Sequence, residues 1–308
     1  MRVAVYGDQK LYQELLKALR ALGEDEPIGH FDTLTSEEKA AVEVIFGWEI
    51  PQRAVDACPR LRWIQGAGAG VDWILPVHLP DEVVVTRIVD QFGPDMGEFA
   101  LLSVLAWVKN YRRILAQQAE HQWRPYLVGQ LAGLTVGVLG AGSIGAHIAR
   151  LFQPMCAEVR ALGRRKPEIP GVKGYQSYEH DRFYEGLDVL VMVLPHTPDT
   201  EHLVGEAAFR RMNPGGYVVN LGRGAVLDEE ALVRAITAGT LSGAALDVLE
   251  TEPLPPDSPL WDLPGVTISP HISGPSRRTG MAAVFSDNLH RYRQGRPLLG
   301  QVDLERGY

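Results

Sequence analysis

The sequence predicts an α/β protein built on doubly wound parallel sheets, and three observations predict it. Short Val-, Ile- and Leu-rich runs alternate along the 308 residues with stretches whose apolar positions recur every 3.6 residues. One such run, Leu134–Leu139, stops at Gly140-Ala141-Gly142-Ser143-Ile144-Gly145 and restarts with Ile144, Ile148, Leu151 and Phe152 on one helical face. The composition, 45% hydrophobic and 22% charged, is that of an ordinary globular chain long enough for two cores.

Taken in order, residues 2–6 read as a strand and Lys10–Leu22 as a helix with Leu11, Leu15, Leu19 and Leu22 on one face. Val42–Phe46 is a strand, Pro51 opens a short helix where its missing N–H costs nothing, and Leu61–Gln65 is another strand. Gly66-Ala67-Gly68-Ala69-Gly70 comes next, where backbone N–H groups can converge on a small anion; a flexible βα loop is the other reading. After a strand at Val83–Thr86, a long helix begins near Asp95, and Phe99–Val108 is apolar on every side, which predicts burial all round. A polar stretch around Gln117–Gln122 leads past Trp123 and Pro125 into Leu134–Leu139. Beyond the Gly140 turn come strands at Glu158–Leu162, Asp188–Val193, Tyr217–Leu221 and Ser242–Leu246, with helices at Gly205–Arg211 and Asp228–Ala238. The last helix, Thr279–Gln294, carries Met281, Phe285, Leu289 and Tyr292 on one face and is expected to fold back onto the N-terminal domain. Residues 1–95 with 279–308 thus form one expected domain and 96–278 the other, with the helix near Asp95 as connector.

Composition narrows the partners. A net charge of −8 with no long Lys/Arg run argues against nucleic acid, and no stretch approaches the ~20 apolar residues of a membrane span. The N-terminus enters a strand at once, with no leader pattern, so a cytoplasmic protein is expected. Cys58 and Cys156 lie in different halves and read as buried thiols; no metal site is expected.

The turn at Gly140 has the chemistry of a dinucleotide site: Gly140 allows the sharp turn, Gly142 the approach of a pyrophosphate, and Gly145 close strand–helix packing, while Ser143 and Ile144 open the helix. A tight turn with no ligand is the alternative. Three later loops carry reactive side chains. Arg223 lies between glycines in Asn220-Leu221-Gly222-Arg223-Gly224, with a guanidinium suited to a planar carboxylate. Glu250 and Glu252 compete as the carboxylate in Leu249–Leu254, and His271 stands in Ser269-Pro270-His271-Ile272-Ser273-Gly274.

The succession GxGxxG, N-L-G-R-G, D-V-L-E-T-E-P-L and S-P-H-I-S-G resembles the D-isomer-specific 2-hydroxyacid dehydrogenases from Gly66 to about Gly274. The resemblance implies two Rossmann-like or flavodoxin-like domains with the active site in the cleft between them. It implies Arg223 binding the substrate, His271 as acid/base partnered by Glu252, and the amides of Ala69 and Gly70 holding the substrate carboxylate. Leu194, Pro195, Thr197, Leu221, Gly222, Asp247, Arg223 and His271 then fall on cofactor-contacting loops. Reduction of a 2-keto acid leaves charge on its oxygen, which calls for a cation and a proton donor; a carboxylate beside an imidazole favours the donating form. Trp48 and the Gln122-Trp123-Arg124-Pro125 segment resemble the short glyoxylate/hydroxypyruvate reductases, with Trp48 narrowing a pocket for a small 2-keto acid, although both tryptophans equally suit packing. The implied assembly is a homodimer. Two alternatives stand beside this one: a dehydrogenase for a larger 2-hydroxy acid, and a dinucleotide-binding corepressor-like protein on the same fold.

The cofactor is expected to be NADP(H), with NAD(H) possible. An acid at the end of the second strand of such a fold holds the ribose 2′-hydroxyl and repels a 2′-phosphate. Here Gly163 occupies that position, and Arg164, Arg165 and Lys166 come directly after it, unless these cations are only solvated surface.

Overall fold

The structure is a computed structural model that describes residues 2–25 and 27–307, with every side chain among these but that of Tyr178. It divides into two compact units, Met1–Phe92 with Ser276–Tyr308, and Gly93–Pro275.

In the first unit, strands β1 (Val3–Tyr6), β2 (Ile28–His30), β3 (Val44–Gly47), β4 (Trp63–Gly66) and β5 (Val84–Thr86) pair in parallel in the order β2-β1-β3-β4-β5. Such a sheet, covered on both faces, needs strands apolar throughout, and β3 and β4 are buried along their whole length. Helix α1 (Gln9–Ala21) starts where the Asp8 side chain accepts the Leu11 N–H at 2.6 Å, and it buries Leu11, Leu15 and Leu19. Leu22, expected on that face, caps the helix and is exposed. Short helices α2 (Ser36–Ala40) and α3 (Gln52–Asp56) come after it. The last helix of the chain, Arg278–Arg293, packs against α1 and buries Met281, Phe285 and Leu289 completely, with Phe285 against Phe46 and Trp63. Tyr292, on the same face, stacks on Trp63.

The second unit holds β6 (Thr135–Leu139), β7 (Glu158–Gly163), β8 (Lys173–Gln176), β9 (Val189–Met192), β10 (Gly216–Asn220), β11 (Leu241–Leu246) and β12 (Val266–Ile268), all parallel, in the order β12-β11-β10-β9-β6-β7-β8. The reversal of direction around β6 and β9 marks a doubly wound sheet, whose ligands bind beyond the carboxyl ends of the strands. Its helices are α4 (Gly93–Val108), α5 (Tyr111–Ala119), α6 (Ser143–Phe152), α7 (His180–Tyr184), α8 (Glu206–Phe209) and α9 (Glu229–Thr237), and the last helix of the chain is α10.

Three expectations need correction. The helix α4 is not buried all round: Met96, Ala100, Ser103 and Val104 are buried, whereas Leu102 is 62% exposed. Its small residues set the packed face, because Gly97 lies against His147 and Leu151 of α6. The polar stretch before Trp123 begins inside a helix that was not expected, α5, none of whose residues is buried. Strands β2, β8 and β12 were not expected; their Ile-Gly-His, Lys-Gly-Tyr-Gln and Val-Thr-Ile are each broken by a glycine or a polar residue and leave no apolar run. Among the described residues no helix is long and apolar enough to cross a membrane.

Candidate active site

In the second unit, β6 ends at Leu139, the next residue Gly140 has a φ of 103° that suits glycine, and α6 begins after Gly142. A Cβ at Gly145 would fall 1.8 Å from the Gly140 carbonyl oxygen, so only glycine lets the helix cross this strand so closely. A Cβ at Gly142 would meet nothing within 4 Å. The turn is therefore tight toward the protein and open outward, with the first amides of a ten-residue helix, at Ser143 and Ile144, directed past Gly142. That geometry fits a dinucleotide diphosphate. At the neighbouring strand end β7 closes on Gly163, and Arg164, Arg165 and Lys166 are all exposed there. The end of β9 leads into Leu194-Pro195-His196-Thr197, a loop pinned by the Thr200 hydroxyl, which donates to the Pro195 carbonyl at 2.8 Å and accepts the Thr197 N–H at 2.8 Å.

The three reactive side chains lie past the ends of β10, β11 and β12. Beyond β10, the buried Asn220 side chain donates to the Arg223 carbonyl at 3.0 Å and accepts the Gly222 N–H at 3.1 Å, folding the Leu221–Arg223 backbone around itself. Arg223 Nη1 donates to the Gly222 carbonyl at 2.8 Å. Beyond β11, Glu252 accepts the Leu249 N–H on Oε1 at 3.0 Å, and its Oε2 lies 2.9 Å from His271 Nδ1. With Nδ1 turned to the carboxylate, the Nε2 atom of His271 is the one left to face a substrate. His271 sits at φ 53°, an uncommon conformation for a side chain of its size.

That conformation is held by Asp247, which is 1% exposed. Its Oδ1 accepts the Ser269 hydroxyl at 2.5 Å and the Ile272 N–H at 3.0 Å, its Oδ2 accepts the Ser273 N–H at 2.8 Å, and its backbone carbonyl accepts the His271 N–H at 2.9 Å. Asp247, placed by the sequence on a cofactor loop, thus has both carboxylate oxygens engaged in shaping the histidine loop. Glu250 does not face His271: its Oε1 accepts the Glu229 N–H at 3.2 Å and lies 3.0 Å from His202 Nε2. Residue type alone gave Asn220 and Ser269 no role, and the one signal for them was their place in the N-L-G-R-G and S-P-H-I-S-G runs.

The first unit presents a separate loop. From the last residue of β4, Gly66–Gly68 is buried while Ala69 and Gly70 are half-buried, and the Gly68 carbonyl accepts the Ile88 N–H at 2.8 Å. The indole of Trp48, 38% exposed, covers Gly68 so closely that a Cβ there would fall 2.1 Å from its ring. Cys58 and Cys156 are free thiols, both pushed up to about 11 by burial, which leaves neither as a ready nucleophile.

The family model for the NAD binding domain of the D-isomer specific 2-hydroxyacid dehydrogenases matches residues 101–273, which include the Gly140 turn and all three reactive loops. The chain belongs to the D-isomer-specific 2-hydroxyacid dehydrogenases. It is 34% identical over 256 residues to a glyoxylate/hydroxypyruvate reductase A of Klebsiella pneumoniae, covering 80% of this chain and 82% of that one. Two solved structures are similar along the full length. One is a D-isomer-specific 2-hydroxyacid dehydrogenase of Xanthobacter autotrophicus Py2 in complex with NADPH and MES, 30% identical, with a TM-score of 0.91 and coverage of 100% and 99% of the two chains. The other is an NADPH-dependent glyoxylate/hydroxypyruvate reductase of Sinorhizobium meliloti in complex with NADP and sulfate, 29% identical, with a TM-score of 0.90 and the same coverage.

Proposed function

We propose that this chain reduces a small 2-keto acid, glyoxylate or hydroxypyruvate, to the D-2-hydroxy acid with NADPH. The observation that carries the reading is the 2.9 Å contact of His271 Nδ1 with Glu252 Oε2, which reserves Nε2 for a substrate oxygen. The glyoxylate/hydroxypyruvate reductases similar to this chain support the substrate, and the NADPH and NADP complexes of the two solved structures support the cofactor. NADPH, when bound, supplies the hydride that goes to C2 of the keto acid. His271 Nε2 gives the proton to the C2 oxygen, Glu252 stabilises the imidazolium before transfer, and Arg223 holds the carboxylate and the oxygen on which charge builds. Ser143 and Ile144 amides with Gly140, Gly142 and Gly145 hold the diphosphate, and Arg164, Arg165 and Lys166 hold the 2′-phosphate, with no acid at Gly163 to repel it. Leu194, Pro195, Thr197, Leu221 and Gly222 would contact the cofactor from the neighbouring loops. Ala69 and Gly70 amides bind the substrate carboxylate, and Trp48 limits its side chain.

The test is kcat/KM for glyoxylate, hydroxypyruvate and bulkier 2-keto acids with NADPH and NADH. His271→Gln is expected to lower kcat by about 10²–10⁴-fold with NADPH affinity little changed, whereas Arg223→Ala weakens keto-acid binding as well. Near wild-type kcat/KM in either variant would show the roles to be misassigned. No turnover by the wild-type protein on any 2-keto acid would favour the corepressor-like alternative. The reading extends to a cytoplasmic location and to a homodimer, and exposed Leu102, Trp123 and Leu127 in the second unit support the dimer. A light-scattering mass of 33.9 kDa at micromolar concentration would mean a monomer and rule the dimer out.

A further inference from the structure

Glu250, a candidate for the partner of His271 by sequence, is built into a brace beside the site. Its N–H donates to Glu229 Oε1 at 2.7 Å, and the Glu229 N–H donates back to Glu250 Oε1 at 3.2 Å, so two carboxylates from segments 21 residues apart tie each other's backbones. His202 Nε2 lies 3.0 Å from the same Glu250 oxygen and supplies the positive partner when protonated. His202 is itself fixed, at φ 47°, by its N–H, which donates to the Ala225 carbonyl at 2.7 Å. Burial pushes the Glu229 carboxyl up, and the nearby Glu250 carboxylate adds to this while the Glu250 N–H and His202 oppose it. Two carboxylates so close, one of them partly desolvated, are a costly way merely to close a loop.

The brace holds the backbone from Leu249 to Glu250. A Cβ at Gly224 would fall 1.9 Å from the Leu249 carbonyl carbon and 2.3 Å from the Glu250 nitrogen, so this segment lies directly on the loop that carries Arg223. Pinned there, the Leu249 N–H donates to Glu252 Oε1 at 3.0 Å and leaves Oε2 aimed at His271 Nδ1. We propose that Glu229, Glu250 and His202 are positioning residues for the reduction. They fix the Leu249–Glu250 backbone and thereby aim the Glu252 carboxylate at His271. The brace rests on the acid/base roles of Glu252 and His271.

A double-mutant cycle tests it. Glu250→Ala and Glu229→Ala are each expected to lower kcat roughly 5- to 10-fold, the worth of one well-placed hydrogen bond, with KM for the keto acid and for NADPH little changed. Glu229→Gln, which keeps an oxygen for the Glu250 N–H, should restore most of the rate. In a Glu252→Gln background Glu250→Ala should cost nothing further, because its effect has already been removed. In the cofactor-free protein, the downfield Nδ1 proton resonance of His271, the mark of an imidazole N–H held by a carboxylate, should weaken in Glu250→Ala and persist in Glu229→Gln. Where an alanine variant does not fold, His202→Asn at its half-exposed position replaces it, with a smaller loss of kcat that also vanishes in the Glu252→Gln background. Additive losses, or an unchanged resonance alongside a slower enzyme, would overturn the brace. A wild-type protein that reduces no 2-keto acid would instead overturn the acid/base assignment beneath it.

Discussion

The segment Gly140–Gly145 in one unit and the segment Gly66–Gly70 in the other each carry three glycines at the end of an interior parallel strand, and they differ in the helix that they lead into. After the first, ten residues of α6 line up their peptide dipoles, and Gly142 leaves the approach to the first amides open. After the second comes one turn of 3₁₀ helix, Asp72–Ile74, with no dipole of consequence, and the middle glycine lies under the Trp48 ring. The first arrangement suits a large, doubly charged diphosphate reached along a helix axis. The second suits one small carboxylate held by local amides beside an aromatic wall. Glycine content after a strand thus says that backbone comes close to a ligand; the length of the next helix and the neighbours of each glycine say which kind.

The largest effect that would break this comparison is at Gly145. Gly145→Val places a branched side chain where even a Cβ would be 1.8 Å from the Gly140 carbonyl oxygen, so α6 must separate from β6. NADPH binding, measured by fluorescence titration, should be lost and the melting temperature lowered. Gly142→Ala is the matched control, since its Cβ meets nothing within 4 Å: the protein should melt like wild type and still bind NADPH more weakly, because the new methyl stands between backbone and diphosphate. Equal NADPH affinity in Gly142→Ala and wild type would mean that no diphosphate passes this turn.

A smaller effect sharpens the cofactor side. One charge-assisted contact is worth about 1.5–3 kcal/mol, so Arg164→Ala should weaken NADPH roughly 10- to 150-fold and leave NADH nearly untouched. Adding Gly163→Asp should reverse the preference by supplying the carboxylate that holds a ribose 2′-hydroxyl. The measurement is kcat/KM for both cofactors on one keto acid, and a wild-type preference for NADH would mean that these exposed cations serve the surface alone.

Much of this architecture was legible because parallel strands buried on both faces write themselves as apolar runs, over the whole of β3 and β9 and over all but one terminal residue of β6 and β10. The strands β2, β8 and β12 were not: the edge strand β5 is as short but follows Val83 in an unbroken Val run, whereas Ile-Gly-His, Lys-Gly-Tyr-Gln and Val-Thr-Ile are interrupted by glycine or polar residues. Glu252 and Glu250 could not be separated by residue type; only the fold brings Oε2 of one to His271 and ties the other to Glu229. The role of Asp247 was hidden for the same reason. Besides the Ser269 hydroxyl its carboxylate takes the backbone N–H groups of Ile272 and Ser273, and a backbone donor leaves no trace in a sequence.

The smallest predicted effect lies in the glycine loop of the first unit and concerns Trp48. If its ring walls the substrate side, Trp48→Ala should open room for a longer 2-keto acid, and the ratio of kcat/KM for phenylpyruvate to that for glyoxylate should rise roughly 10-fold, the scale of a changed apolar contact. Gly68→Ala attacks the same wall from beneath. Its Cβ would fall 2.1 Å from the indole, and because the obstacle is a side-chain ring rather than backbone, the ring swings away while the loop stays. The two substitutions should therefore shift the ratio in the same direction, and Gly68→Ala should add nothing once Trp48 is alanine, since the collision no longer exists. NADPH affinity should be unchanged in all three variants, in contrast to Gly142→Ala. A ratio that stays at the wild-type value in Trp48→Ala would make the indole a packing residue, and a fall in NADPH affinity would mean that the division of labour between the two glycine loops is drawn in the wrong place.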